Sequence, residues 1–170
     1  MGTLVTIFVT IFNFIHQTDP AVTSYQKQVL ATCGRVQGIL TVNHSFDIIV
    51  FTPQGPAVRK AGLVRVLTNN LAEVRNEFDL LNQKSTPDAL ADKKQRVLQA
   101  EDAWYRVGQG DLRFIESAVR DGELLTEFNS QYASREAGDV AASSALSATL
   151  SDLAGSECKL HAPLTGGANS

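Results

Sequence analysis

The chain has 170 residues, a formal charge of −3 at neutral pH, 44% hydrophobic residues and 19% charged residues. That length suits one domain with one sizeable core, and the apolar share excludes full disorder. A mildly acidic chain carries no protein-wide positive field, so any binding of nucleic acid needs a local basic cluster.

The first element is an apolar segment, Thr3 to Ile15, whose 13 residues are too few to span a bilayer as a helix. The first basic residue is Lys27, so the charged start of a secretory signal is missing and no membrane span is expected. Residues 1–18 read as a β-branched strand or an apolar arm that packs on a core or a neighbour. Met1-Gly2-Thr3-Leu4-Val5-Thr6 also fits the bare N-myristoylation pattern, which is short and often matched by chance.

Asp19-Pro20 is a helix start, a capping residue followed by proline at the first helical position. Val22, Tyr25, Val29, Cys33, Val36 and Leu40 then recur at spacings of three and four, giving one apolar stripe. Within Thr41 to Thr52, the residues Phe46, Ile48, Ile49, Val50 and Phe51 predict a short strand. Pro53-Gln54-Gly55-Pro56 breaks the chain. From Val58 to Leu81 the heptad-like series Val64, Leu67, Leu71, Val74, Phe78 and Leu81 demands a partner helix surface.

Ser85-Thr86-Pro87-Asp88 starts the next helix, carried by Leu90, Val97, Ala100, Trp104 and Val107. Gly108-Gln109-Gly110 is expected to interrupt or bend it; Leu112, Ile115, Val119 and Phe128 then carry a last helix. From Ala137 onward Ala, Ser and Gly supply 18 of the last 34 residues, so residues 137–170 are expected to be a mobile tail. In that tail Leu146, Leu150 and Leu153 support only a weak amphipathic turn pair. The fold class predicted is all-α: a four-helix bundle over residues 19–136 with a small β-sheet at one end.

Chemistry finds little purchase. His16, His44 and His161 have no metal-type spacing, and Cys33 and Cys158 read as free thiols without a CxxC pair. The sequon Asn43-His44-Ser45 carries no weight without a secretory signal. No GxSxG, phosphate loop or dinucleotide pattern is present, and adjacent Glu101 and Asp102 point about 100° apart on a helix. No catalytic residue, metal site or cofactor is expected, and the chain does not read as an enzyme.

Charge placement is more informative. Arg75, Lys84, Lys93, Lys94, Arg96 and Arg106 lie within 32 positions, interspersed with Glu77, Asp79, Asp88 and Asp92. Two readings stand: a solvated helix end with ordinary ion pairs, or a phosphate-binding loop at one end of a bundle.

An ordered series of residues resembles the coat proteins of rod-shaped plant RNA viruses of the tobamovirus type. Gly55-Pro56-Ala57-Val58-Arg59 leads into an apolar helix, and Val74-Arg75-Asn76 stands where the family has Thr-Arg-Asn-Arg. Asn82-Gln83 and Ser85-Thr86-Pro87 lie near its Asn-Pro-Thr-Thr, and Gln95-Arg96-Val97 with Glu101-Asp102-Ala103 echoes its Arg-Arg-Val-Asp-Asp-Ala. Phe114-Ile115-Glu116-Ser117, Asp121-Gly122 and Phe128 follow, and Phe12-Asn13-Phe14-Ile15 with Asp19-Pro20 stands upstream. The series touches about half the chain.

The resemblance implies a structural protein that self-assembles into helical rods or discs around single-stranded RNA, in the virion and the host cytoplasm. It implies RNA contacts at Arg75, Arg96 and Asp102, with Lys94 as a positional neighbour; Lys93 and Arg106 join the expected RNA-binding set from the basic cluster. It also makes Glu77, Asp79, Asp88 and Asp92 candidates for carboxylates between subunits. The sequence departs from the family at Glu77, where a second arginine is expected, at Gly108 and Gly110, and in its longer tail without a closing Trp. The alternative expectation is a small helical interaction module, lipid-anchored through Gly2.

Overall fold

The computed structural model describes residues 19–42 and 45–160. The apolar arm, the Gly2 motif, all three histidines and Asn43 fall outside them. Four long helices carry the described chain: α1 (Pro20–Thr41), α2 (Lys60–Asn82), α3 (Ala91–Ala118) and α4 (Leu125–Ala154). A single helical turn, Ser45–Ile48, leads into strand β1 (Ile49–Thr52), which pairs antiparallel with β2 (Gly55–Val58). A 3₁₀ turn, Asp88–Leu90, precedes α3.

The helix starts follow local chemistry. Asp19 accepts the Ala21 N–H at 2.8 Å and Pro20 occupies the first turn of α1, as its sequence predicts. α2 has no local side-chain cap; instead Asp121 Oδ1, from the distant α3–α4 connection, accepts the Lys60 N–H at 2.9 Å. α4 ends at Gly155, whose φ of 67° is the left-handed turn that glycine adopts without a Cβ penalty.

α1 packs against α2 and α4, and α3 packs against α2 and α4. One end holds the β-hairpin and the α3–α4 connection, joined by the Ala57–Leu124 bridge and the Val58 N–H donating to Glu123 O at 2.7 Å. The opposite end holds the start of α1, the α2–α3 turn and the end of α4; there the Gln26 amide donates to Leu153 O at 3.4 Å. The core is the set of stripes that the spacing predicts: Tyr25, Val29, Val36 and Leu40 of α1, and Leu67, Leu71, Val74, Phe78 and Leu81 of α2. Trp104 is buried among them, and its indole N–H donates to Ser143 Oγ at 3.2 Å.

Four expectations need correction. The stretch expected to be one strand up to Thr52 is helical through Ile48, because it must first turn off the end of α1; only Ile49–Thr52 pairs. Gly108 and Gly110 do not break α3. Gly108 is instead a notch: a Cβ there would sit 2.5 Å from Leu71 Cδ2, so the missing side chain lets α2 and α3 approach.

The segment from Ala137 is not a tail up to Leu160. α4 continues through it, with Leu146, Leu150 and Leu153 fully buried. After Gly155 the chain doubles back, and two serine hydroxyls receive it: Cys158 N–H donates to Ser151 Oγ at 2.9 Å and Leu160 N–H to Ser147 Oγ at 3.0 Å. Small residues here provide close packing and hydrogen-bonding groups rather than disorder. The same reversal brings Cys158 onto α1, where it forms a disulfide with Cys33 across 125 positions of sequence. The free-thiol expectation fails because sequence distance says nothing about two elements packed side by side.

Candidate nucleic-acid interface

The basic residues singled out by sequence divide into two groups. The first surrounds the α2–α3 turn. Lys93 and Arg96, one helical turn apart on α3, both reach Asp152 near the end of α4: Lys93 Nζ lies 2.7 Å from Asp152 Oδ1 and Arg96 Nη2 2.9 Å from Oδ2. Hydrogen bonds from Lys93 and then Arg96 hold the Asp152 carboxyl below the usual aspartate range. Lys94 points the other way and caps α2, donating to Asn82 O at 2.7 Å and Lys84 O at 3.2 Å. A cation at a helix C-terminus complements its dipole. Burial draws the Lys94 ammonium below its usual range. Lys84 is exposed on the turn itself.

The second group lies further along the α2–α3 face. Arg75 Nη1 donates to both carboxylate oxygens of Glu101, at 3.0 and 2.9 Å, and lies 3.8 Å from Asp102 Oδ1. Its guanidinium also covers the Tyr105 ring at 5.2 Å. Asp102 in turn pairs with Arg106, four residues on along α3. The Glu101 side chain is 4% exposed and that of Arg75 is 41% exposed. Burial pushes the Glu101 carboxyl above the usual glutamate range, and Arg75 offsets part of that rise. Arg75 therefore has a structural task, neutralising a buried acid. Glu101 is its partner, which sequence reading considered only as the neighbour of Asp102.

The four carboxylates proposed for contacts between subunits also separate. Glu77 is half-buried and pairs with Arg35 of α1 at 2.6 Å, so it closes an α1–α2 contact within the chain. Asp79, Asp88 and Asp92 are exposed. Asp88 and Asp92 occupy the first turns of the 3₁₀ segment and of α3, where acids complement helix N-termini. Asp152 and Arg35, which complete these pairs, carry no local sequence signal, because each meets its partner only through helix packing.

Surface relief adds a separate feature at the hairpin end: a cleft of about 480 Å³ bordered by Asp47, Arg59, Gly62, Arg65 and Asp121, with Arg65 paired to Asp47 at 2.6 Å. Among the described residues no helix is long and apolar enough to cross a membrane, and no group of three or more His, Cys, Asp or Glu could hold a metal ion. No family model, curated protein or solved structure matches this chain.

Proposed function

We propose that this chain is a structural protein, a four-helix bundle with its small sheet at one end, that assembles into helical rods and packages single-stranded RNA. The resemblance to tobamovirus-type coat proteins motivates the reading. The observation that supports it is the charge at the α2–α3 turn. There Lys84, Lys93, Lys94 and Arg96 gather, and among the described residues only Asp152 forms an ion pair with any of them. With Asp88 and Asp92 of the same segment counted beside Asp152, four cations face three acids, and the surplus is one positive charge, with Lys84 and Arg96 exposed. A phosphate could join Asp152 in bridging Lys93 and Arg96 without disturbing the core.

Arg75 and Arg106 would form the flank of this surface. The commitment of Arg75 to the buried Glu101 gives it a smaller share of phosphate binding than sequence alone suggests, whereas Arg106 is held only by the partly exposed Asp102. Each individual contact is weak, and copies aligned along one strand would multiply it by avidity. The bundle also offers two different ends. Phe51, 82% exposed, stands on the hairpin, and Asp19, where the described residues begin, lies at the turn end. Unlike ends favour head-to-tail contacts, which build open filaments when they do not close into a ring. Asp79, Asp88 and Asp92 remain candidates for acids between copies, whereas Glu77 is occupied by Arg35.

The test is binding of a labelled single-stranded RNA oligonucleotide to the triple variant Lys84→Gln, Lys93→Gln, Arg96→Gln. Binding and nuclease protection should be lost while helical circular dichroism is kept. In single substitutions the salt dependence, log K against log salt, should flatten by about 0.7 per contact removed. Unchanged protection in the triple variant refutes the assignment. Negative-stain microscopy across mildly acidic to neutral pH tests assembly: rods or stacked discs support it, and featureless small particles favour a helical interaction module.

A further inference from the structure

Away from both cation groups, the α3–α4 interface encloses two carboxyl groups. Asp111 of α3 is 0% exposed and Asp139 of α4 is 1% exposed, with Tyr132 buried beside them. Asp111 Oδ1 accepts from Arg135 Nε at 2.7 Å. The Tyr132 hydroxyl lies against Asp139 Oδ2 and 3.4 Å from Asp111 Oδ2. A phenol has one proton to donate, so it can satisfy one acid and not both. Asp139 Oδ1 has no partner at all, the one buried side-chain oxygen so left among the described residues.

The charge count is equally unbalanced. Two ionised carboxylates would face one guanidinium, and like charges sharing a dry site cannot both ionise cheaply. Asp139 faces Tyr132 of its own helix and Asp111 of α3, and Asp111 faces Arg135 and Tyr132 of α4; no ion pair or hydrogen bond reaches either acid from α1 or α2 among the described residues. A proton on Asp139 resolves both problems. It removes the excess charge and gives Asp139 a donor toward Asp111, whose own charge stays matched by Arg135.

We propose that Asp111 and Asp139, bracketed by Tyr132 and Arg135, form a proton-operated latch between α3 and α4, closed when one proton is held and loosened when it is lost. Burial, then the hydrogen bond and charge of Asp111, pushes the Asp139 carboxyl up to about 8. The unfolded chain releases that proton near pH 4, so the folded state binds it more tightly. Stability from this group is fully present below about pH 4, declines as pH rises, and is gone above about pH 8. The latch thus opens on the alkaline side. It does not depend on the RNA-packaging reading.

The experiment is urea denaturation of the full chain across that pH range, compared with Asp139→Asn, which keeps the shape and the donor but cannot ionise. The folding equilibrium constant of the wild type should fall relative to the variant by about tenfold per pH unit between about pH 5 and pH 7. Parallel pH profiles for the two proteins overturn the proposal. Should Asp139→Asn fail to fold, wild-type protein alone decides it. Hydrogen exchange of α3–α4 amides should accelerate between about pH 7 and about pH 9 beyond the intrinsic base-catalysed rise seen in α1. An infrared band from a protonated carboxyl should vanish over the same interval. Uniform exchange, or no such band at neutral pH, overturns the latch.

Discussion

Arg75 with Glu101, and Lys93 and Arg96 with Asp152, are the same chemistry in two settings. In the first, one half-exposed cation faces an acid held inside the α2–α3 contact; in the second, two accessible cations share an exposed acid. The difference lies in which partner water can reach. Where the acid is buried, the cation is committed, because leaving would strand a charge in a dry site. Where the acid is exposed, water replaces either partner at little cost, and the cations are available to another anion. Burial of the carboxylate, not the presence of arginine, separates committed from available charge.

Removing Arg75 tests this contrast most strongly. Arg75→Ala leaves Glu101 unpaired and should destabilise the fold by roughly 2–3 kcal/mol, below the value for a fully buried pair because the guanidinium is partly in water. The loss should depend on pH. An unpaired Glu101 has a raised folded pKa, so relative to wild type the defect is largest at neutral pH and shrinks as acid approaches the unfolded glutamate range near about pH 4. Adding Glu101→Gln should recover most of the loss at neutral pH. Denaturation midpoints of the three variants decide it. A pH-independent defect with no rescue would move Arg75 into the accessible class.

A smaller effect is expected from the packing that lets Arg75 reach across. Leu71 seats against Gly108, and a methyl group there would press on its buried side chain. Overpacking should outweigh the helix propensity gained, so Gly108→Ala should cost about 1 kcal/mol in thermal or urea unfolding. It should also weaken the coupling between Arg75 and Glu101 in a double-mutant cycle. Undiminished coupling would show that the ion pair does not need that close approach.

How much of this was legible follows from the kind of interaction. The stripes of α1 and α2 were readable because branched and aromatic residues at three- and four-residue spacing have one economical use, a buried helix face. The Asp19-Pro20 start was readable because a cap is local. Residues 137–154 were not, because their core contacts come from three leucines among alanines and serines, and composition alone cannot tell a tightly packed small-residue helix from a loose one. Gly108 was misread for the same reason, since its role is defined by Leu71, far away in sequence. Of the site, the basic residues could be found from sequence, whereas Glu101, Asp152 and Asp111 gain their roles from neighbours on other helices, and Asp139 from Asp111 across the α3–α4 contact as well as Tyr132 on its own helix. Charge type is a property of sequence; charge commitment is a property of packing.

The gentlest perturbation bears most directly on function. Asp152→Asn removes the one carboxylate shared by Lys93 and Arg96 without opening any cavity. Because Asp152 is exposed, the denaturation midpoint near neutral pH should not move measurably. RNA affinity should instead rise severalfold at low ionic strength, since phosphate no longer competes with an internal anion, and the gain should fade as salt screens the site. Asp79→Asn removes an equal charge from α2 near Arg75, where the cation is already held by Glu101 and Asp102, and should leave affinity nearly unchanged. Equal gains from both variants would mean that only net charge matters. A gain confined to Asp152→Asn would locate the available cations at the turn, where one exposed acid holds two of them.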